Sequence, residues 1–345
     1  MTALKKTDSE AGLLTIEILC HKDIAGQLRE HLEAATFRVK QFNVFSSEEI
    51  SSLVSSSDIL VSWLASEKVI ESGPKLKLIQ CWGVGVDKID LVLAEKHRVK
   101  VCTVGDAGSN AVAEYILSAM LLLGRKLSFY DKYVKGGSKS GLGFDSFRGH
   151  QESFNPYDAA AFPAELTGKT LLIIGYGRIG TRLACKAKSL GMRVFAIRRE
   201  PSSDKDENAD LIGNLSIIQK VLPETDFLSI NLPLTQSTKN VVGEKELKMM
   251  KPSAYVINTS RSEVLDNEAL VRALEKNWIA GAALDVFEER FKNSFVKMQN
   301  VILTPHIAGN TVESRKGYLR VTIENIMRYS NGEHFLNVIQ PTRAY

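Results

Sequence analysis

Apolar and polar positions along the first hundred residues follow a pattern typical of strands separated by helices. The predicted strands are short apolar runs bounded by turn residues, and the segments between them carry apolar residues at helical spacing. The predicted strands cover residues 13–20, 39–45, 58–63, 77–81 and 99–103, and the predicted helices cover 24–34, 48–55 and 90–95. This alternation predicts βαβ units and therefore a mostly parallel sheet.

A second series of strands follows a long helical pattern. Few helix-breaking residues interrupt residues 111–134, so a single helix is predicted there. Residues 136–162 are rich in Gly, Ser, Asn and Pro, which predicts a loop longer than most connections in a compact domain. Strand-like runs then recur at 170–174, 193–197, 227–230, 254–257, 281–286 and 301–303, before a final helical pattern at 311–329 and a polar tail. The chain is therefore predicted to contain two α/β units.

The second unit opens with a strand that runs into a Gly-x-Gly-x-x-Gly turn. Gly175, Gly177 and Gly180 follow the apolar run at 170–174 and begin a helical pattern. In a dinucleotide-binding fold the first glycine permits a sharp turn, the second a close approach to pyrophosphate, and the third close packing of helix on strand. The N–H groups at the helix N-terminus then face the phosphates. The motif predicts a dinucleotide site; the alternative is a glycine turn in another kind of α/β domain.

The end of the next predicted strand holds the residue expected to contact the cofactor ribose. In dinucleotide folds this residue lies about 20 positions past the glycines, and here it is Arg198, followed by Arg199 and Glu200. An acidic residue would accept hydrogen bonds from ribose hydroxyls, whereas a guanidinium matches a 2′-phosphate in charge and donor geometry. NADP(H) is therefore favoured over NAD(H). Two alternatives stay open: the arginines lie on a solvated strand end, or Glu200 reaches the ribose.

Composition and charge argue against several classes of function. The 345 residues carry a net charge of only +4, which is too small to indicate a nucleic-acid partner. Four cysteines, Cys20, Cys81, Cys102 and Cys185, have no paired spacing, as expected for reduced thiols and not for disulfides or a metal site. Residues 1–10 are polar and are expected to be loosely ordered. With neither a signal core nor a spanning segment, the chain is predicted to be cytoplasmic, without a membrane partner.

Three segments at predicted strand ends carry candidate chemistry. Arg261 follows the strand at 254–257, and a guanidinium there can bind a carboxylate through two parallel bonds and polarise a neighbouring carbonyl. His306 follows the strand at 301–303, and histidine titrates near neutral pH, which suits a proton donor in carbonyl reduction. The Gly-Val-Gly segment at 83–85 offers close-lying backbone N–H groups that can hold a carboxylate. Each segment alone also has a structural explanation: a surface ion pair, a structural histidine or a turn.

Taken together and in this order, the segments resemble the D-2-hydroxyacid dehydrogenase family. The resemblance covers nearly the whole chain and rests on GVGVDKID at 83–90, AVAE at 111–114, GKT at 168–170, GYGRIG at 175–180, LPLT at 232–235, KP at 251–252, NTSR at 258–261, ALDVF at 283–287 and TPH at 304–306. It implies two doubly wound parallel-sheet domains. A Rossmann-type cofactor domain, residues 109–311, is inserted into a flavodoxin-like substrate domain, residues 1–108 and 312–345. The resemblance also implies a homodimer.

The resemblance also implies roles for individual residues. Arg261 binds the 2-oxo acid, and His306 is the acid/base. Val84 and Gly85 offer main-chain donors to the substrate carboxylate, and Asp285 holds the nicotinamide carboxamide. The predicted cofactor-binding set is Gly175, Gly177, Arg178, Ile179, Gly180, Arg198, Arg199, Pro233, Thr259 and Asp285.

One departure concerns the family's third catalytic residue, a glutamate that holds the histidine and keeps its proton affinity high. The matching position holds Arg290, and Glu288 and Glu289 precede it. In the preferred interpretation Glu289 takes this role through a one-residue shift. In the other, no carboxylate reaches His306, Arg290 favours the neutral imidazole, and reduction is weak or shifted to lower pH. A smaller departure is Ser262, where the family usually has glycine.

These observations predict an NADPH-preferring oxidoreductase that reduces a small 2-oxo acid to the D-2-hydroxy acid. The nicotinamide supplies hydride, Arg261 orients the carboxylate, and His306 delivers the proton. Glyoxylate and hydroxypyruvate are reasonable first substrates by analogy with arginine-bearing family members. An alternative from another class is a catalytically weakened dinucleotide-binding sensor or scaffold, which Arg290 motivates. A further alternative keeps the enzyme but takes a non-carboxylate anion, with residues 136–162 covering the site.

Overall fold

A computed structural model describes residues 15–32, 36–135, 163–200 and 206–340. The chain divides into two compact units. One combines Met1–Gly108 with Val312–Tyr345, and the other is Ser109–Thr311. The predictions made for residues 1–10 and 136–162 lie outside the described residues.

Short strands and helices alternate through both units. In the first part of the chain they are β1 (Ile16–His21), α1 (Lys22–His31), β2 (Phe37–Phe42), α2 (Ser47–Leu53), β3 (Ile59–Val61), α3 (Glu67–Glu71), β4 (Leu78–Gln80), α4 (Leu91–Lys96) and β5 (Lys100–Cys102). The second unit contains α5 (Ser109–Gly124), α6 (Leu127–Lys135), β6 (Thr170–Ile174), α7 (Arg178–Ser189), β7 (Arg193–Ile197), β8 (Leu211–Gly213), α8 (Ile218–Val221), β9 (Phe227–Ile230), α9 (Glu244–Met249), β10 (Tyr255–Asn258), α10 (Asn267–Glu275), β11 (Gly281–Leu284), α11 (Lys292–Val296) and β12 (Val301–Leu303). The last helix, α12 (Val312–Asn331), returns to the first unit. Single 3₁₀ turns cover Val54–Ser56, Leu215–Ile217, Leu222–Glu224, Ser262–Val264 and Glu289–Phe291.

The first unit is built on a five-stranded sheet in the order β2-β1-β3-β4-β5. Every pairing between these strands is parallel, and the order is that of flavodoxin-like doubly wound folds. Ile18 and Cys20 of β1 pack on one face with Leu28 of α1 and Ile326 of α12. Leu19 packs on the opposite face, in the core cluster that α2, α3 and α4 help to form. Helices therefore cover both faces, which explains why the strands are apolar throughout.

The end of the chain is tied to this sheet through a buried amide pair and a backbone bond. Asn325 of α12 donates from Nδ2 to Oε1 of Gln80 in β4 at 2.7 Å, and both side chains are buried. Beyond α12, Ile339 donates its N–H to the carbonyl oxygen of Val101 in β5 at 2.8 Å. The sequence predicted only a polar tail here, whereas this segment pairs with the edge strand.

The second unit is built on a seven-stranded sheet in the order β12-β11-β10-β9-β6-β7-β8. All of its strand pairings are parallel. Chain order reverses between β6 and β9, and the crevice at such a switch point is where doubly wound folds bind their ligands. The predicted fold class, two doubly wound parallel-sheet units, is confirmed.

Two local predictions differ from the structure. The single helix predicted at 111–134 is wrong, because α5 ends at Gly124 and α6 begins at Leu127. Lys126 between them has φ 51°, in the left-handed region that ends an α-helix. Strand β8 was not predicted, since it has only three residues and its first two are half-buried at the sheet edge.

Candidate active site

The glycine turn follows β6, and at two of its three glycines a side chain would clash with the backbone. Gly175 has φ 102°, and a Cβ there would lie 2.4 Å from the carbonyl oxygen of Asn231. A Cβ on Gly180 would lie 2.6 Å from the carbonyl oxygen of Gly175. Gly177 differs, because a Cβ there would meet no atom within 4 Å. It is the N-cap of α7, so open space lies next to the N-terminus of a helix, where anions are favoured.

Arg198 lies beside this turn because β6 and β7 are neighbours. The N–H groups of Gly175 and Tyr176 both donate to the carbonyl oxygen of Ile197 at 2.9 Å. Arg198 follows directly and is half-buried, whereas Arg199 is exposed. The other two predicted contacts in the turn are the first residues of α7, and of these Arg178 is exposed and Ile179 is half-buried.

A carboxylate that the sequence did not single out lies near Arg198. Tyr176 donates its hydroxyl to Oδ2 of Asp206 at 2.6 Å, and Asn208 donates its N–H to Oδ1 at 2.9 Å. The hydrogen bond from Tyr176, followed by that from Asn208, lowers the pKa of Asp206, and the charge of Arg198 adds to this effect. Burial raises the pKa of the Tyr176 phenol. The surroundings of Arg198 therefore include one ionised carboxylate.

Arg261 is carried on a turn that Asn258 stabilises at the end of β10. Oδ1 of Asn258 accepts from the N–H of Ser260 at 3.1 Å, and its Nδ2 donates to the carbonyl oxygen of Arg261 at 2.8 Å. Asn258 is buried and Arg261 is half-buried. Thr259 lies in the same turn, and Pro233 lies after the neighbouring strand β9; both are half-buried.

His306 lies in a loop that Asp285 organises. Asp285 directly follows β11, and its carbonyl oxygen accepts the N–H of His306 at 3.0 Å. Its carboxylate accepts from the N–H groups of Ile307 and Ala308, each at 2.8 Å. Asp285 is only 1% exposed, whereas His306 is exposed. The loop therefore joins an exposed histidine to a buried carboxylate.

These side chains share one edge of the seven-stranded sheet. The glycine turn, Pro233, Arg261, Asp285 and His306 follow β6, β9, β10, β11 and β12 respectively. Because the strands are parallel, all of their carboxyl ends lie at the same edge. An anion-accepting helix start, a guanidinium and an imidazole on one edge provide what is needed to bind a dinucleotide and protonate a carbonyl.

The acidic residues near position 290 form ion pairs with their neighbours in sequence. Glu289 lies 2.8 Å from Nζ of Lys292, and its side chain is 78% exposed. Arg290 lies 2.7 Å from Glu288 and its guanidinium lies over the ring of Phe291. The assignment of Glu289 as the partner of His306 stays a prediction.

Val84 and Gly85, the predicted carboxylate donors, follow β4 in the first unit. The carbonyl oxygen of Gly83 accepts the N–H of Val104 at 3.1 Å, and that of Gly85 accepts the thiol of Cys81 at 3.3 Å. In a trans peptide the N–H points opposite to the C=O, so the bond from Val104 turns the Val84 N–H the other way. Val84 is 38% exposed.

Sequence reasoning missed Tyr115, which is part of the same constellation. Its hydroxyl lies 2.5 Å from Oγ1 of Thr304, a residue 189 positions away in the chain. Thr304 in turn donates to Asp285. No short motif joins residues so far apart, and a tyrosine in the apolar stretch of α5 is typical of packing, so the sequence carried no signal for this contact.

Membrane-spanning helices and clustered metal ligands are the features that would indicate other partners. Among the described residues no helix is at once long and apolar enough to cross a bilayer. The same residues contain no group of three or more His, Cys, Asp or Glu side chains suited to a metal ion. Cys20, Cys81 and Cys102 are buried, and burial raises the pKa of Cys20 and of Cys102 to about 12. Buried thiols of this kind are typical of core packing.

A parallel sheet with a glycine turn at its switch point defines the class of dinucleotide-binding α/β folds. Residues 117–308 match the family described as D-isomer specific 2-hydroxyacid dehydrogenase, NAD binding domain. The chain is 37% identical over 291 residues to the glyoxylate reductase of Thermococcus litoralis, which covers 83% of this chain and 82% of that protein.

Solved structures of the same fold contain either cofactor. An acyclic imino acid reductase (Bsp5), in complex with NADPH and D-Arg, has a TM-score of 0.77 at 25% identity and covers 94% of this chain and 100% of that one. D-Lactate dehydrogenase from Aquifex aeolicus, complexed with NAD and lactic acid, has a TM-score of 0.78 at 25% identity and covers 92% and 96%. The chain belongs to the D-isomer specific 2-hydroxyacid dehydrogenase family. It is an enzyme, an NAD(P)-dependent oxidoreductase.

Proposed function

We propose that this protein reduces a small 2-oxo acid to the D-2-hydroxy acid and prefers NADPH. The observation that carries the proposal is that the glycine turn, Arg261, Asp285 and His306 follow the strand ends of a single sheet edge. The similarity to glyoxylate reductases supports glyoxylate as the first substrate to test. In this proposal residues 109–311 bind the cofactor, and residues 1–108 with 312–345 contribute to the substrate side.

The residues around the glycine turn fit a dinucleotide. The open space beside Gly177 leaves room for a pyrophosphate, and the N–H groups of Gly177, Arg178 and Ile179 lie at the start of α7, where the helix dipole favours negative charge. Pro233 and Thr259 line the neighbouring strand ends. A carboxylate has about four acceptor positions. Three of those on Asp285 are already used by protein donors, which leaves one for the carboxamide N–H.

The preference for NADPH is proposed to come from Arg198, with Arg199 as a second cation. Arg198 is half-buried beside the glycine turn, so part of its side-chain freedom is already lost before a phosphate binds. A guanidinium donates in a fork that fits a phosphate. The charge of Arg198 contributes to the lowered pKa of Asp206, so the two groups are close. Asp206 reduces the positive potential around Arg198, but the guanidinium N–H donors remain.

Arg261 and His306 are proposed to carry the chemistry. The bound nicotinamide supplies the hydride that reaches the carbonyl carbon. Arg261 binds the substrate carboxylate and polarises the carbonyl oxygen, and the backbone N–H groups of Val84 and Gly85 also bind this carboxylate. His306 in its imidazolium form donates the proton to the developing alkoxide. Because only protonated His306 can do this, the rate of reduction is expected to fall as pH rises through the titration of His306.

Glu289 is proposed to hold His306 as the catalytic glutamate. To take this role, Glu289 would leave its ion pair with Lys292 and contact His306 instead. An exposed ion pair contributes only about 0–1 kcal/mol to stability, so losing it costs little. The Glu289→Gln variant removes the charge and keeps the shape. We expect it to lower kcat and to shift the pH profile for reduction towards lower pH, whereas Glu288→Gln changes neither. Identical pH profiles for wild type and Glu289→Gln would contradict the assignment of Glu289 as the partner of His306.

The ion pairs near position 290 also favour a second candidate, a dinucleotide-binding protein with weakened catalysis. Glu289 lies on Lys292, and Arg290 brings a positive charge to the position where the family has a carboxylate. A protein of this kind would bind NADPH, as measured by fluorescence titration, without turnover of any 2-oxo acid.

Steady-state turnover separates the two candidates. NADPH and NADH oxidation would be measured with glyoxylate, hydroxypyruvate and pyruvate from about pH 5 to 8, across the ordinary histidine range. We expect turnover with NADPH preferred. Arg261→Lys is expected to lower kcat/KM at least about tenfold, since lysine lacks the planar fork. The control is Arg272→Lys, where the arginine pairs with Glu244 and Glu268 away from the site. Cofactor binding without turnover would support the second candidate.

We also expect a homodimer, as the family resemblance implies. Light scattering of the purified protein would give its mass directly, to be compared with 38.2 kDa for one chain. A single species at the mass of one chain would contradict this expectation.

A further inference from the structure

The backbone of the loop that carries His306 has an uncommon conformation. His306 has φ 56°, in the left-handed region that residues other than glycine occupy rarely. Such a conformation persists only where its surroundings hold it in place. The contacts that fix this loop therefore also fix where the imidazole lies.

Those contacts converge on the Asp285 carboxylate. Oδ1 accepts the N–H of Ile307 and Oδ2 accepts the N–H of Ala308, both from residues that follow His306. Thr304, which precedes His306, donates its hydroxyl to Oδ1 at 2.5 Å. The loop is thus tied to one buried carboxylate on both sides of the histidine, by charge-assisted hydrogen bonds, which are the stronger kind.

Tyr115 on α5 extends this set of contacts by one hydrogen bond. Its hydroxyl oxygen lies 2.5 Å from Oγ1 of Thr304. A threonine hydroxyl has a single proton, and Thr304 gives that proton to Asp285. Tyr115 is therefore the donor and Thr304 the acceptor in the contact between them. Burial raises the pKa of Tyr115, so the phenol keeps the proton that it donates.

We propose that Tyr115 is a positioning residue for His306 and acts through the hydrogen-bonded chain Tyr115–Thr304–Asp285. The donated proton polarises the Thr304 hydroxyl and strengthens its bond to Asp285. This bond restrains the segment before His306 and so helps to hold the imidazole at one distance from the substrate carbonyl. Tyr115 itself touches neither substrate nor cofactor in this role. The inference rests on the proposed function, because it concerns the rate at which His306 delivers a proton.

The experiment compares Tyr115→Phe, Thr304→Val and the double variant in NADPH-dependent glyoxylate reduction. Tyr115→Phe keeps the ring and removes the donor, and Thr304→Val keeps the shape and removes the hydroxyl. We expect each single variant to lower kcat about three- to tenfold, since misplacing a catalytic group by less than 1 Å already slows the reaction. The KM for NADPH is expected to change less than kcat, because Asp285 keeps its two backbone donors and the proposed phosphate contacts at the glycine turn and Arg198 are unaltered.

Two further variants separate positioning from packing. Thr304→Ser keeps the hydroxyl and is expected to restore most of the kcat lost in Thr304→Val. Tyr255→Phe is the control, because Tyr255 is another tyrosine of the second unit, itself buried and stacked on Phe227. It is expected to leave kcat unchanged. In the double variant the effects are expected not to multiply, because both changes interrupt one chain of bonds.

Several outcomes would overturn the proposal. The proposal is wrong if the kcat of Tyr115→Phe stays within about twofold of wild type, or if Tyr255→Phe lowers kcat by as much. It is also wrong if the effects of Tyr115→Phe and Thr304→Val on kcat multiply in the double variant, because two residues of one hydrogen-bonded chain should not act independently. A wild-type protein without turnover would overturn the proposed function, and this inference with it. Turnover by wild type with an unaffected Tyr115→Phe variant would overturn this inference alone.

Discussion

At the scale of single residues, Gly177 and Gly180 illustrate two different reasons for glycine in one turn. A side chain on Gly180 would contact backbone, whereas a side chain on Gly177 would enter open space. We expect Gly180→Ala to destabilise the fold by about 1–3 kcal/mol, the usual cost of overpacking. Gly177→Ala is expected to cost at most about 1 kcal/mol, as for an unfavourable N-cap residue, and to raise the KM for NADPH. Thermal unfolding and cofactor kinetics of both variants measure this contrast, and equal losses of stability would contradict it.

Arg198 gives a second prediction at the residue scale. Arg198→Ala removes the proposed phosphate ligand, so the KM for NADPH is expected to rise about ten- to hundredfold, as for loss of a hydrogen bond to a charged group. The KM for NADH should change by no more than about twofold. Arg193→Ala is the control, because Arg193 begins β7, the strand that Arg198 follows, and pairs with Glu224. Equal increases in KM for both cofactors would indicate a general role for Arg198 in the fold.

The site residues differ in how far the sequence could predict them. The glycines were predictable because their steric requirements are local and appear as a fixed spacing. The placement of Arg261 and His306 was predictable because each lies shortly after an apolar strand, and their roles stay predictions. Tyr115 and Asp206 were not, since each acts through a contact that depends on how distant segments pack. The fold places Tyr115 beside Thr304 only after α5 and β12 have both docked in the second unit.

At the scale of elements, Asp226 ties three strands of the second sheet together. Its Oδ2 accepts the N–H of Thr170 at the start of β6, and its Oδ1 lies 2.9 Å from Nζ of Lys251, ahead of β10. Asp226→Ala leaves the Thr170 N–H and Lys251 without this acceptor. We expect the free energy of unfolding to fall by about 3 kcal/mol, measured by urea denaturation. Glu268→Ala, which breaks an exposed pair with Arg272, should cost less than about 1 kcal/mol.

Element boundaries show where sequence patterns lose their predictive value. Most strands were predictable, because a parallel sheet covered on both faces requires continuous apolar runs. The break between α5 and α6 was not, because Gly124 is the only glycine or proline there and a single glycine does not by itself end a helix. Arg125 and Lys126 are ordinary helix formers, yet Lys126 is the residue that adopts the left-handed conformation. Strand β8 was missed for a related reason. A short edge strand buries little apolar surface, so its sequence shows little of the apolar pattern by which strands are predicted.

At the scale of the whole molecule, both ends of the chain complete the first unit. Residues after α12 form backbone hydrogen bonds with β5 and with the residue that follows it: Ile339 donates to Val101 at 2.8 Å, and Asn337 accepts from Thr103 at 3.1 Å. We expect deletion of residues 336–345 to destabilise the protein by about 1–4 kcal/mol, given about 0.5–1.5 kcal/mol for each hydrogen bond. Deletion of 341–345 removes none of these bonds and serves as the control. Equal melting temperatures for the two truncated chains would show that the tail adds nothing to the sheet.

The buried pair of Asn325 and Gln80 has a consequence for the protein as it is made. The two residues are 245 positions apart, and a ribosome adding about 5–20 residues per second needs roughly 12–50 s to synthesise the chain between them. Towards the end of that interval the seven-stranded sheet has its entire sequence, whereas the five-stranded sheet still lacks α12. We therefore expect the inserted unit to fold first on the ribosome. Protease treatment of stalled nascent chains, with residues up to 311 outside the ribosome and α12 still inside it, should leave residues 163–200 and 206–311 protected and residues 36–108 cleaved. The first hundred residues would then be synthesised before the inserted unit but would fold after it.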